Sequence, residues 1–144
     1  MFSKTCEYGI RAAIFIAEES TKGRKTGIKE IARQIDSPEA FTAKILQTLV
    51  KHQIITSFKG PSGGFYMPEE ALSGIKLVEI ISAIDGDAVF KGCALGLDKC
   101  SDDSPCPLHN EFKRIRDDLE EMLRSVSIGN LTAGLRLKQT FLKR

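Results

Sequence analysis

The sequence predicts a mainly α protein with a small β-hairpin wing: a winged helix-turn-helix domain followed by a long C-terminal dimerisation helix. Three observations lead there. Apolar residues return at three- and four-residue spacings through much of the 144-residue chain, the repeat of helices with one buried face. A close pair of helical patterns at 28–53 runs straight into a strand–turn–strand pattern, "IITSF" (54–58), "KGPSGG" (59–64) and "FYM" (65–67). The segment opening on Pro107 then holds an apolar stripe with the alternating four- and three-residue steps of a coiled coil.

The elements follow in order. The first helix is expected from Ser3 to Glu19, with Cys6, Ile10, Ala13, Ile14 and Ala17 as its buried stripe and the polar "STKGRKTG" as the loop after it. A short helix, "IKEIARQI" (28–35), turns Ile28, Ile31, Ala32 and Ile35 to one side. In "DSPEAFTAKILQTLVKHQ" (36–53) Ser37 suits a cap, Pro38 a first helical position and Glu39 the first turn, with Phe41, Ile45, Leu46 and Leu49 inward. The pair makes a helix-turn-helix, and the glycine-rich hairpin behind it makes the wing. "SGIKLVEIISAIDG" (73–86) reads as one helix ending at Gly86, and residues 87–106 as a loop. A single long helix is expected over 107–131. Its seam is Leu108, Phe112, Ile115, Leu119, Met122 and Val126, best buried against a second copy of the chain. The expected divisions are a DNA-binding domain at 1–86, a cysteine-rich loop at 87–106 and a dimerisation segment at 107–144.

Composition narrows the functional classes. Hydrophobic residues make up 42% and charged residues 28%, the balance of a globular protein. No apolar run approaches the ~20 residues that span a bilayer, so no membrane partner is expected. The opening "MFSKTCEYGIRAAIFIAEES" has none of the regions of a signal peptide, and a cytoplasmic location is expected. Net charge is only +2, but residues 1–66 carry ten Lys/Arg against six Asp/Glu, while the remainder carries eleven against thirteen. A basic front half suits a polyanion. No phosphate-binding glycine motif or nucleophile–base pair argues for an enzyme.

Three of the four cysteines crowd into "KGCALGLDKCSDDSPCPLH" (91–109). In a reducing compartment such a group reads as a metal or redox site and not as a disulfide framework. Thiolates are soft ligands, and three on one loop can wrap an inorganic cluster. Zinc on Cys93, Cys100, Cys106 and His109 is the chemical rival, though the gaps exceed the usual knuckle spacing; plain reduced thiols are the third reading. Cys6 reads as a core residue and His52 as a surface or capping residue.

The order of elements, together with "EYGIRAAIFIA" (7–17), "KGPSGGF" (59–65), "LVEIISAIDG" (77–86) and the three cysteines, resembles the Rrf2 family of bacterial winged-helix transcription regulators, over about residues 2–135. The family includes iron–sulfur and nitric-oxide sensors. The resemblance implies a DNA-binding regulator, expected to be a repressor, that senses redox, nitric oxide or iron–sulfur status. It also implies an iron–sulfur cluster of two or four irons on Cys93, Cys100 and Cys106. Six residues separate the first two cysteines and five the last two, one more in the first gap than cluster-bearing members usually show. The fourth ligand is either His109, in the Cys-x-x-His pattern with Cys106, or Glu7, where relatives carry a carboxylate that reaches the opposite subunit's cluster. The alternative is a cluster-free or zinc-binding regulator that responds to a metabolite or a protein.

In a winged helix the second helix of the pair enters the major groove by its first residues. The outward positions are expected to be Ser37, Glu39, Ala40, Thr42, Ala43 and Lys44, with Lys44 taking a guanine edge or a phosphate. The wing tip, Lys59, Gly60, Pro61 and Ser62, would lie over the minor groove, and Lys4 would meet a phosphate. A homodimer would read a partly palindromic double-stranded operator.

Overall fold

The computed structural model describes residues 1–143. Helix α1 (Lys4–Thr21) lies at the centre, packed by α2 (Ile28–Ile35), α3 (Glu39–Lys51), α5 (Leu77–Asp85) and α8 (Ile128–Arg136). It therefore buries more than the one stripe expected of it: Ala12 and Ile16 join Cys6, Ala13, Ile14 and Ala17 in the core. Gly9 lets α5 come close, since a methyl there would lie 2.1 Å from the Ile84 side chain. The Ser3 hydroxyl caps α1 by accepting from the Cys6 amide, and the Ser3 amide donates to Asp85 at 3.0 Å, tying the start of α1 to the end of α5.

The turn from α2 to α3 corrects one expectation. Asp36 takes the left-handed conformation (φ 55°), and the Ser37 amide donates to the Ala32 carbonyl at 2.9 Å, closing the end of α2. Ser37 thus serves the preceding helix and not the next one. Pro38 is the N-cap of α3, and the Ser37 hydroxyl is buried with no hydrogen-bond partner among the described residues.

The wing pairs β1 (Thr56–Phe58) with β2 (Gly64–Tyr66) in antiparallel register, Ser57 opposite Phe65. Thr26 adds a third, one-residue strand by exchanging backbone bonds of 3.1 and 2.8 Å with Phe65. Gly64 sits at φ 138°, where a methyl group would meet the Thr26 backbone at 2.9 Å. Beyond β2 the Met67 amide donates to the Ser20 hydroxyl at 2.9 Å, which itself donates to the Ile16 carbonyl. The base of the wing is thereby fixed to α1 and its tip is left free.

Both long helices expected in the second half are broken. The 73–86 helix begins only at Leu77, as α5, behind a separate short α4 (Glu69–Gly74) that the sequence reading missed, and the 107–131 helix divides into α7 (His109–Ser125) and α8. The cause is tertiary. Lys76 and Ser127 form an antiparallel bridge in which Leu77 donates to Val126 (2.9 Å) and Ile128 to Ile75 (3.0 Å), so each break satisfies the other's backbone. Ser127 then starts α8 with a capping box to Asn130. Helix α7 packs on α5 and on a short α6 (Ala88–Lys91), and its Leu123 is fully buried. The seam lies largely outside this contact: Leu108, Phe112, Ile115 and Met122 remain 42–57% exposed. None of the described helices is long and apolar enough to cross a membrane.

Candidate metal centre and nucleic-acid interface

The cysteine loop leaves α6 at Gly92 and rejoins the fold at His109, the first residue of α7. Phe90 anchors its start in the core, and the Gly96 amide closes a turn on the Cys93 carbonyl at 3.0 Å. Few apolar contacts hold the residues between. The four donors gather into two pairs: Cys93 and Cys106 with their sulfurs 3.8 Å apart, and Cys100 with its sulfur 3.3 Å from His109 Nδ1. Among the described residues no three His, Cys, Asp or Glu side chains converge on a single metal ion. Glu7 stays apart on α1, where its carboxylate pairs with Lys4 at 3.3 Å.

Two residues that sequence reasoning missed complete the site. Asp102 Oδ1 lies 2.8 Å from His109 Nε2. An ionised carboxylate only accepts, so Nε2 carries a proton, and Nδ1 faces Cys100. The same hydrogen bond is the main cause holding the Asp102 carboxyl below its usual range. Arg116, on α7, donates Nη2 to Cys100 Sγ at 3.3 Å and Nη1 to the Gly92 carbonyl. A signal for it existed: Arg116 follows His109 by seven residues, two helical turns, which puts both on one face. Around Cys93, backbone N–H groups of Leu95 and Leu97 are the main cause lowering the thiol pKa. The group can hold thiolates against a soft metal and present an imidazole nitrogen beside them. Cys6 is the opposite case: burial, reinforced by Asp85, pushes its thiol up to about 12.

The expected DNA-facing residues divide. Glu39, Ala40 and Lys44 are exposed on α3, and Lys59, Gly60, Pro61 and Ser62 are exposed at the wing tip. Lys4 is exposed at the start of α1. Thr42 is a correction: it is fully buried and donates its hydroxyl to the Pro38 carbonyl at 2.9 Å, because position 42 falls on the side of α3 that faces the core. The Ser37 hydroxyl is likewise turned in. Ala43 is half-buried. A cation absent from the expected set, Lys25, stands 4.5 Å over the Phe58 ring and joins the loop after α1 to the wing. His52 closes α3 by donating Nδ1 to Thr48, as a capping residue does.

The comparisons with known proteins agree with this architecture. Over 133 residues the chain is 29% identical to an Aquifex aeolicus protein of the HTH-type transcriptional regulator class, covering 91% of this chain and 90% of that one. It is 25% identical to the Escherichia coli HTH-type transcriptional regulator IscR, covering 86% and 75%. Among solved structures, CymR, the global cysteine regulator of B. subtilis, superposes with a TM-score of 0.74 at 22% identity, covering 92% of this chain and 96% of that one. The IscR of T. potens superposes with 0.75 at 18%, covering 99% and 93%. The family model described as Rrf2, iron-dependent transcriptional regulator, matches residues 2–134. With nearly the whole chain matched, and its helix-turn-helix, wing and cysteine loop in sequence, the protein belongs to the Rrf2 family of transcriptional regulators and is not an enzyme.

Proposed function

We propose that this regulator binds a partly palindromic operator as a homodimer and senses iron–sulfur or redox status through a cluster held by Cys93, Cys100, Cys106 and His109. One observation carries the reading: the donors stand as two close pairs, Cys93 with Cys106 and Cys100 with His109. Two pairs suit a two-iron cluster, in which each iron takes two protein ligands, better than they suit one tetrahedral ion. Bound there, iron and sulfide would supply a centre that exchanges an electron and can be attacked at a weakly held ligand.

The chain's own residues do the rest. Asp102 fixes the His109 tautomer so that a lone pair, not a proton, meets the metal. His109 begins α7, so the order of the loop bears directly on the helix that carries the exposed seam. Pairing of two seams would set the spacing of two α3 helices, each presenting Glu39, Ala40 and Lys44, and of two wings. A loop that changes state therefore alters operator affinity by moving α7, and the change must appear as a difference in DNA affinity between the two states.

The test is isolation without oxygen, with iron and sulfide analysis. Operator titrations of loaded and metal-free protein at one salt concentration follow. We expect iron and sulfide in equal amounts and a Kd difference of at least about tenfold, or 1.4 kcal/mol. Protein that binds DNA but carries neither element would refute the cluster and leave a cluster-free regulator. Equal affinities of the two forms would refute the switch.

A further inference from the structure

We propose that Arg116 is a positioning residue of the cysteine site: its guanidinium holds Cys100 as a ligand, fixes Gly92 at the mouth of the loop, and so couples the loop's order to α7. The inference rests on the reading of the cysteines as cluster ligands, and its geometry stands apart from that reading.

Arg116 makes its two contacts across a wide gap in sequence. Cys100 is 16 residues away and Gly92 is 24. Gly92 is the cap residue of α6, so one planar side chain joins the end of α6, the middle of the loop and the second turn of α7. Only an arginine presents several N–H donors in one rigid fork. A lysine in its place would keep the charge and lose the fixed angle between the contacts.

The third donor adds to the case. Arg116 Nε is buried and has no hydrogen-bond partner among the described residues. A buried donor without an acceptor is costly, so its persistence calls for a reason. Its neighbour Nη2 already lies on a cysteine sulfur, and a sulfide or thiolate is an acceptor of the kind this fork would serve. Donors to sulfur stabilise negative charge there, which raises a cluster's reduction potential.

The neighbouring arginine supplies the control. Arg114 sits on the same helix, pairs with Glu111 at 2.9 Å and is largely exposed. Full-length protein isolated without oxygen is compared with Arg116→Met, Arg116→Lys and Arg114→Met. In metal-free protein the readout is hydrogen exchange of the amides between residues 92 and 108. In protein loaded with iron and sulfide the readouts are reduction potential and the rate of iron loss to a chelator.

We expect Arg116→Met to speed exchange in the loop and iron loss by about tenfold, the usual scale for an outer partner of a metal ligand, and to make the potential more negative. Arg116→Lys should fall between, and Arg114→Met should match the wild type. If Arg116→Met matches the wild type in loop exchange and in iron loss, the proposal is wrong. Should Arg116→Met fail to fold, Arg116→Lys decides in the same way. If the wild type itself holds no iron and sulfide, the cluster reading fails, and loop exchange in the metal-free protein alone decides the role of Arg116.

Discussion

Replacing Ile115 with aspartate should split the proposed dimer without unfolding the chain. Ile115 is 57% exposed on α7 and stands in the middle of the seam, with Leu108, Phe112 and Met122 exposed by 42–45%. Full burial of such a side chain is worth about 1.5–3 kcal/mol, so each half-exposed one has about 1 kcal/mol still to gain. Four per protomer, doubled by two-fold symmetry, contribute on the order of 8 kcal/mol before the cost of association. Aspartate at 115 removes about 1 kcal/mol from each copy and brings two carboxylates into the interface, each costing several kcal/mol to desolvate. Even a partial penalty of about 3 kcal/mol weakens pairing by at least ~100-fold. Sedimentation equilibrium over roughly 1–100 μM would measure the change, and far-UV circular dichroism would check that the monomer keeps its helices. A wild type that is monomeric throughout that range, or an Ile115→Asp protein with unchanged self-affinity, would refute the reasoning.

Further outcomes are expected for the thiols, the wing glycines and the helix-turn-helix. In metal-free protein at pH 8, an alkylating reagent should label Cys93, Cys100 and Cys106 but spare Cys6. The Cys6 thiol, raised to about 12 by burial, stays protonated below that pH and reacts only in denaturant, as mass spectrometry would show. Gly64→Ala should destabilise by on the order of 2 kcal/mol and lower the thermal midpoint by about 6–10 °C. Gly60→Ala has a positive φ but open space around the added methyl, so it should cost about half as much. Thr42→Val should cost about 1 kcal/mol of stability and leave operator affinity unchanged, whereas Lys59→Ala should lower the salt slope of binding by about 1 per protomer.

Much of the fold was legible because local signals and tertiary structure agree in the first half. The Ile28–Ile35 and Ile45–Leu49 patterns mark the faces they bury, and the glycines of "KGPSGG" mark the turn they make. The second half misled because its two helix breaks are made by each other. Nothing in the periodicity around Ile75 or Val126 announces a backbone bridge between residues 76 and 127; the serine and asparagine of the α8 capping box were the one local hint. Within the site, cysteines and histidine stand out by residue type. Asp102 does not, and Arg116 is marked only by its two-turn spacing from His109, since aspartates and arginines are common and the fold brings these two to His109 and Cys100. Thr42 failed for the opposite reason. Its polar side chain suggests solvent, yet a helical hydroxyl can satisfy itself on the carbonyl one turn back and be buried.

The backbone bridge at Lys76 and Ser127 makes α7 a lever with its fulcrum at one end. Close to the bridge, Leu123 and the paired backbones of Ile75 and Ile128 hold the helix to the body of the protein. At the far end, its 17 residues and ~25 Å of length away, it begins at His109, within the cysteine loop that His109 and Arg116 grip. A tilt of about 10° would swing that end by about 4 Å while scarcely moving the pivot. Small changes among four donor atoms would thus be magnified where two copies of the chain would meet.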